Sequence, residues 1–182
     1  MNIRLSFFGP LLLMASATMA ADSRIDNAKS SIIVTFTQMK VPVDAPFRSF
    51  GGHIDYDPAH PDAAKAELQV DTGSLDLGDE EYNAETRKKE WFDSAASPKA
   101  TFVATAIKPA PGGHLEATGT LTIKNKPQTV TVPVTVGANA GTHTFDATFE
   151  ISRSYFGIGG ADWKDTVDDK VRIKVHLVQT TH

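Results

Sequence analysis

The chain has 182 residues, 22 acids against 18 bases for a net charge of −4, and no cysteine. A chain of this size supports one domain around a single core. The acidic balance argues against nucleic-acid and anionic-membrane partners. The lack of cysteine excludes disulfides, thiol catalysis, iron–sulfur ligation and a lipoprotein anchor.

Residues 1–20 read as a cleaved export signal. Arg4 provides the early positive charge, and an apolar run over 5–14, broken by Gly9 and Pro10, leads into small residues. The run is too short and wrongly flanked for a membrane span. Cleavage after Ala17 or after Ala20 fits the small-x-small rule, and Ala20 is preferred because Asp22 and Ser23 then open a polar terminus. Its removal takes away one base and no acid, so a single domain over 21–182 carries −5. A soluble periplasmic protein without a membrane anchor is expected.

From there a hydrophobic period of two dominates. Strands are expected over 31–39 with Val34 and Phe36 inward, over 50–57 with Ile54 and Tyr56, and over 64–71 with Ala66, Leu68 and Val70. The segment 79–93 breaks the period. It follows Gly78, is charged and helix-prone, and sets Ala84, Lys88, Trp91 and Phe92 near one stripe, which predicts the one main α-helix. Strand alternation resumes over 100–107 with Phe102 and Ala104. It continues over 114–123 with Leu115, Ala117, Gly119, Leu121 and Ile123. Three further strands follow: Val130 to Val136, Phe145 to Ile151, and Val171 to Leu177, the last alternating with Lys170, Arg172, Lys174 and His176. Turn residues at 109–113, 125–127 and 137–141 join them as an antiparallel meander. Pro133, outward inside a strand, suggests an edge or a bulge.

These elements make an all-β protein, an eight-stranded antiparallel barrel with one helix. Closure removes exposed edges. A barrel of eight is either filled by its own side chains or holds one slender ligand. The small inward residues Ala66, Ala104, Ala117, Gly119 and Ala147 leave space, which favours a tunnel.

The sequence contains no nucleophile elbow, phosphate loop, dinucleotide fingerprint or zinc-protease helix. Its six histidines are scattered, and the acidic loop Asp162, Asp165, Asp168 and Asp169 lacks the spacing of a calcium loop. No catalytic residue, metal or cofactor is assigned. Two inward-parity cations stand out, because a lone buried guanidinium is costly. Arg153 either pairs with Asp162, Asp165 or Asp168 or meets a ligand at the tunnel mouth. Arg48 shares the parity of Phe50 and Ile54 unless Ser49 bends the chain.

Several stretches together carry a family resemblance. They are Ser31-Ile32-Ile33-Val34-Thr35-Phe36, Phe47-Arg48-Ser49-Phe50-Gly51-Gly52, 70–78 with Ser74 and Asp76, Trp91-Phe92-Asp93, 98–102, 119–123 and 151–159. Over nearly its whole length after the signal, the chain resembles the YceI-like family of lipocalin-like, polyisoprenoid-binding proteins. The resemblance implies a barrel with a packed helix and a long apolar tunnel. It also implies a carrier of isoprenoid lipids or similar amphiphiles, of the quinone or prenyl pyrophosphate type, and not an enzyme. Two positions depart from the family pattern: Lys29, where many relatives have His, and Tyr155, where the usual motif has Asp.

The expected tunnel is lined by Val34, Phe36, Phe50, Leu68, Val70, Phe102, Leu121, Phe145, Phe149 and Ile173. Arg48, Trp91, Phe92, Arg153, Tyr155, Phe156 and Trp163 are expected at its mouth. Self-association as a homodimer is left open. Two rival readings are a stress-linked interaction module with a filled barrel and an enzyme acting on an isoprenoid or quinone. The second would need a polar cluster with shifted pKa values inside the pocket.

Overall fold

The computed structural model describes residues 24–139 and 141–180, so the expected signal over 1–20 lies outside the described residues. Ten antiparallel strands form one sheet: β1 (Arg24–Ile25), β2 (Ser31–Gln38), β3 (Val41–Phe47), β4 (Phe50–Asp55), β5 (Lys65–Asp71), β6 (Lys99–Ala110), β7 (His114–Ile123), β8 (Lys126–Asn139), β9 (Thr142–Ser152) and β10 (Lys170–Thr180). All eight expected strands are present, and β1 and β3 are additional. Pro42 and Pro46 disguise β3 in the sequence, but β3 bonds to a strand on one side only, where missing N–H groups are tolerated.

The strands follow the order β3-β2-β10-β9-β8-β7-β6-β5-β4, with β1 on β10. Only Arg48 and Ser49 separate β3 from β4. The two ends of the path are therefore one bent run, paired with β2 before the bend and with β5 after it. The sheet closes through its own chain, and around the circumference β3 and β4 fill one of eight places. Beyond the bend, side chains bridge the seam: Asn27 Nδ2 donates to Phe50 O at 3.0 Å and Gln179 Nε2 to Ile54 O at 2.5 Å.

Two turns reverse the chain in two residues, both at positive φ: Met39 and Lys40 (49° and 67°), and Lys124 and Asn125 (49° and 59°). That geometry matches the strand twist of a tight hairpin. The second turn thus sits one residue earlier than expected, and Lys126 and Pro127 already belong to β8. Pro133 marks a splay. Its strand pairs with β7 from Lys126 to Thr135, but pairing with β9 begins only at Val134.

The helix is shorter than predicted: α1 spans Glu80–Arg87. Asp79 caps it, accepting from Glu81 N at 2.8 Å, with acids in the first turn and Arg87 in the last. Lys88 is extended and Asp93 takes a φ of 51°, so Trp91 and Phe92 lie in turns after the helix. The polar composition of 88–93 resembles helix, but these backbone angles end it.

Candidate functional site

Alternation in the strands sends one set of side chains to the barrel axis. They do not fill it. A cavity of about 290 Å³ runs from Tyr56, Ala64 and Leu115 at one end to Leu77, Trp91, Phe92 and Trp163 at the end beside α1. That volume is close to the roughly 300 Å³ at which small-molecule pockets begin. The wall occupies β7 from Leu115 to Ile123, roughly 27 Å along the strand and about 20 Å along a tilted barrel axis. Ala66, Ala117 and Ala147 all face it. Gly119 instead lies beneath Phe102: a Cβ there would stand 2.6 Å from the Phe102 Cζ. A second hollow, on the outer face among Ser31, His114, Asp146, Lys174 and His176, is an open groove across the sheet.

Of the ten residues expected in the tunnel, nine face the cavity: Val34, Phe36, Leu68, Val70, Phe102, Leu121, Phe145, Phe149 and Ile173. Phe50 is not on the cavity wall but packs, half-buried, against the core clusters. At the expected mouth, Trp91, Phe92, Arg153 and Trp163 face the cavity, the two indoles edge to face at 5.1 Å. The other three do not. Arg48 is 68% exposed and pairs with Asp76 at 2.8 Å, because the chain bends at Arg48 itself and turns it out of the barrel. Tyr155 points outward, its hydroxyl donating to Pro127 O at 2.8 Å. Phe156 is wholly buried in the core. Lys29, the other departure from the family pattern, makes a surface ion pair with Asp26.

Arg153 is 4% exposed, and its partners are backbone carbonyls instead of the carboxylates of Asp162, Asp165 or Asp168. Its guanidinium donates to five backbone carbonyls: Asp168 O from Nε, Ile158 O and Gly159 O from Nη1, and Trp163 O and Val167 O from Nη2. A planar fork with five donors suits this role. It folds 158–168 into a collar around the opening, and Gly159, at φ 68°, has no room for a Cβ, which would lie 2.8 Å from Nη1. Lys124 performs similar work, donating to Lys89 O and Gly157 O at 2.8 Å each. Partial burial pulls its amine below the usual lysine range. Asp169 accepts from Ser154 N, and the hydroxyls of Ser154 and Ser152 hold its carboxyl below the usual aspartate value.

Sequence reasoning missed the polar part of the opening: Gln38 at the end of β2, and Tyr82, Glu85 and Thr86 on α1. The three helix residues stand at i, i+3 and i+4, one face of α1. That spacing was legible, but a tyrosine beside acids on a short helix reads as an ordinary solvated face. Tyr82 is 65% exposed, and the Glu85 carboxylate pairs with Lys88.

The chain matches the YceI-like domain over residues 24–179. It is 31% identical to Protein YceI of Escherichia coli O157:H7 over 134 residues, covering 72% of this chain and 68% of that protein. The crystal structure of Burkholderia cenocepacia BcnA is 46% identical, with a TM-score of 0.82 over 85% of this chain and 98% of that one. A polyisoprenoid binding domain from Saccharophagus degradans, implicated in plant cell wall breakdown, shares the fold at 15% identity. Its TM-score is 0.72 over 90% of this chain and 100% of that one. On the extent of these matches, the chain belongs to the YceI-like family.

Proposed function

We propose that the protein is a periplasmic carrier that holds a polyisoprenoid or similar long-chain amphiphile in the barrel cavity and performs no covalent chemistry on it. The observation that carries this reading is the apolar cavity along the barrel axis, reaching a polar rim beside α1. The tail lies toward Tyr56 and the head near Gln38, Tyr82 and Glu85. Each CH₂ moved from water to such a wall contributes roughly 0.8 kcal/mol. A few isoprene units thus exceed the ~8 kcal/mol of a micromolar complex, even after ordering costs. The fold shared with a polyisoprenoid binding domain supports the same ligand class. An unfilled axis favours a carrier over an interaction module with a solid core.

Solvent extraction of protein purified from its natural host, followed by mass spectrometry, identifies the ligand. A long-chain amphiphile in stoichiometric amount is expected. Ala147→Phe places a ring in the cavity and is expected to abolish co-purifying lipid. Undiminished lipid in a folded Ala147→Phe protein defeats the reading, as does a native preparation free of lipid.

A further inference from the structure

Resting on the carrier reading above, we infer that the ligand's head group is uncharged and bears oxygen, and that a phosphate or diphosphate head is disfavoured. The ionisable side chains on the cavity wall, among the described residues, are Tyr56, Tyr82, Glu85 and Arg153. Tyr56 stands at the far end. Arg153 is the one strong cation of the four, and its five donors already meet five carbonyls. No N–H of that fork is left to grip an anion.

The charge that a head group meets on the wall at the opening is therefore the carboxylate of Glu85. Its partner Lys88 is not part of the wall. An anionic head drawn into the opening would lose water beside a like charge, with no buried cation to compensate. Lys40 and Lys164 follow closely on Gln38 and Trp163 in sequence, but both are exposed, where salt screens their attraction. The neutral groups at the opening fit a different chemistry. The Gln38 amide donates and accepts, and the Tyr82 hydroxyl does both. A carbonyl or hydroxyl oxygen matches them.

Both tryptophans of the chain, Trp91 and Trp163, stand on the wall at this end, so intrinsic fluorescence can follow occupancy. The experiment titrates the full protein with geranylgeraniol and with geranylgeranyl diphosphate, which share one chain and differ in the head. The alcohol is expected to bind tighter by about tenfold or more, a difference of ~1.4 kcal/mol. Glu85→Gln is expected to raise affinity for the diphosphate severalfold and so narrow its gap to the alcohol. Gln38→Leu is expected to weaken the alcohol by roughly three- to tenfold, the size of one neutral hydrogen bond. Equal or tighter binding of the diphosphate overturns the inference and leaves the carrier reading intact. If that affinity disappears in Lys40→Ala/Lys164→Ala, an anionic head is held outside the opening. Binding of neither probe overturns the carrier reading itself.

Discussion

The two ends of the cavity are finished in different materials. Beside α1 the rim is built of loops, and hydrogen bonds from side chains to backbone hold it: five from Arg153, two from Lys124. At the far end the walls are strands, and packing stops the cavity. Tyr56 meets His143 and Phe145 edge to face at 5.4 Å each, with Leu177 and Gln179 almost fully buried nearby. The difference follows from backbone accounting. Strands satisfy their carbonyls in the ladder, whereas loops folded over a barrel mouth must find donors elsewhere. A polar collar marks the end that communicates with solvent, and an aromatic stop marks the end that sets depth.

The sharpest way to break this contrast is at Arg153. Arg153→Leu strands five carbonyls in a buried collar and is expected to cost about 3–5 kcal/mol, read as a lower urea midpoint. Arg153→Lys should recover only part, since an ammonium has three donors. At the opposite end, Leu177→Ala is expected to cost about 2–3 kcal/mol. This is the low part of the range, because its neighbours already face empty space. Lipid should still be retained and a longer tail tolerated, and loss of all lipid there would erase the distinction between the ends. Tyr82→Ala should leave stability within about 0.5 kcal/mol, as befits an exposed side chain, while lipid release quickens. An unchanged release rate would remove α1 from the opening.

The smallest effect concerns Asp169. Its carboxyl is held below the ordinary 3.8, chiefly by the Ser154 hydroxyl. The ionised form therefore stabilises the fold above that pH, and the contribution is lost as pH falls through the folded value. Wild type should melt above Asp169→Asn at neutral pH and converge with it in acid. A gap that persists in acid would assign the collar's cohesion to backbone contacts alone.

The strands were legible in the sequence because a wall with one dry face must alternate, and β7 through β10 do so for most of their length. Nine of the ten proposed tunnel residues follow from that parity. What defeated it was local geometry. The bend at Arg48 turned its side chain outward, and the two prolines masked β3. Parity correctly marked Arg153 as needing partners, but not that backbone carbonyls would supply them, since loop carbonyls carry no sequence signature. Gln38, Tyr82, Glu85 and Thr86 were hidden for a related reason. An opening is made by elements distant in sequence, and none of its residues is unusual within its own element.

Barrel closure has a consequence for timing. The second strand lies between its neighbour in sequence and the last strand, so one side of the wall joins the two termini of the domain. Val178 N, for example, donates to Ser30 Oγ across 148 residues. Contacts that distant form late and slowly. While the chain is still emerging from the ribosome, the cylinder lacks a stave, and the interior is an open trough. The cavity cannot be enclosed until residues 170–180 are free to dock.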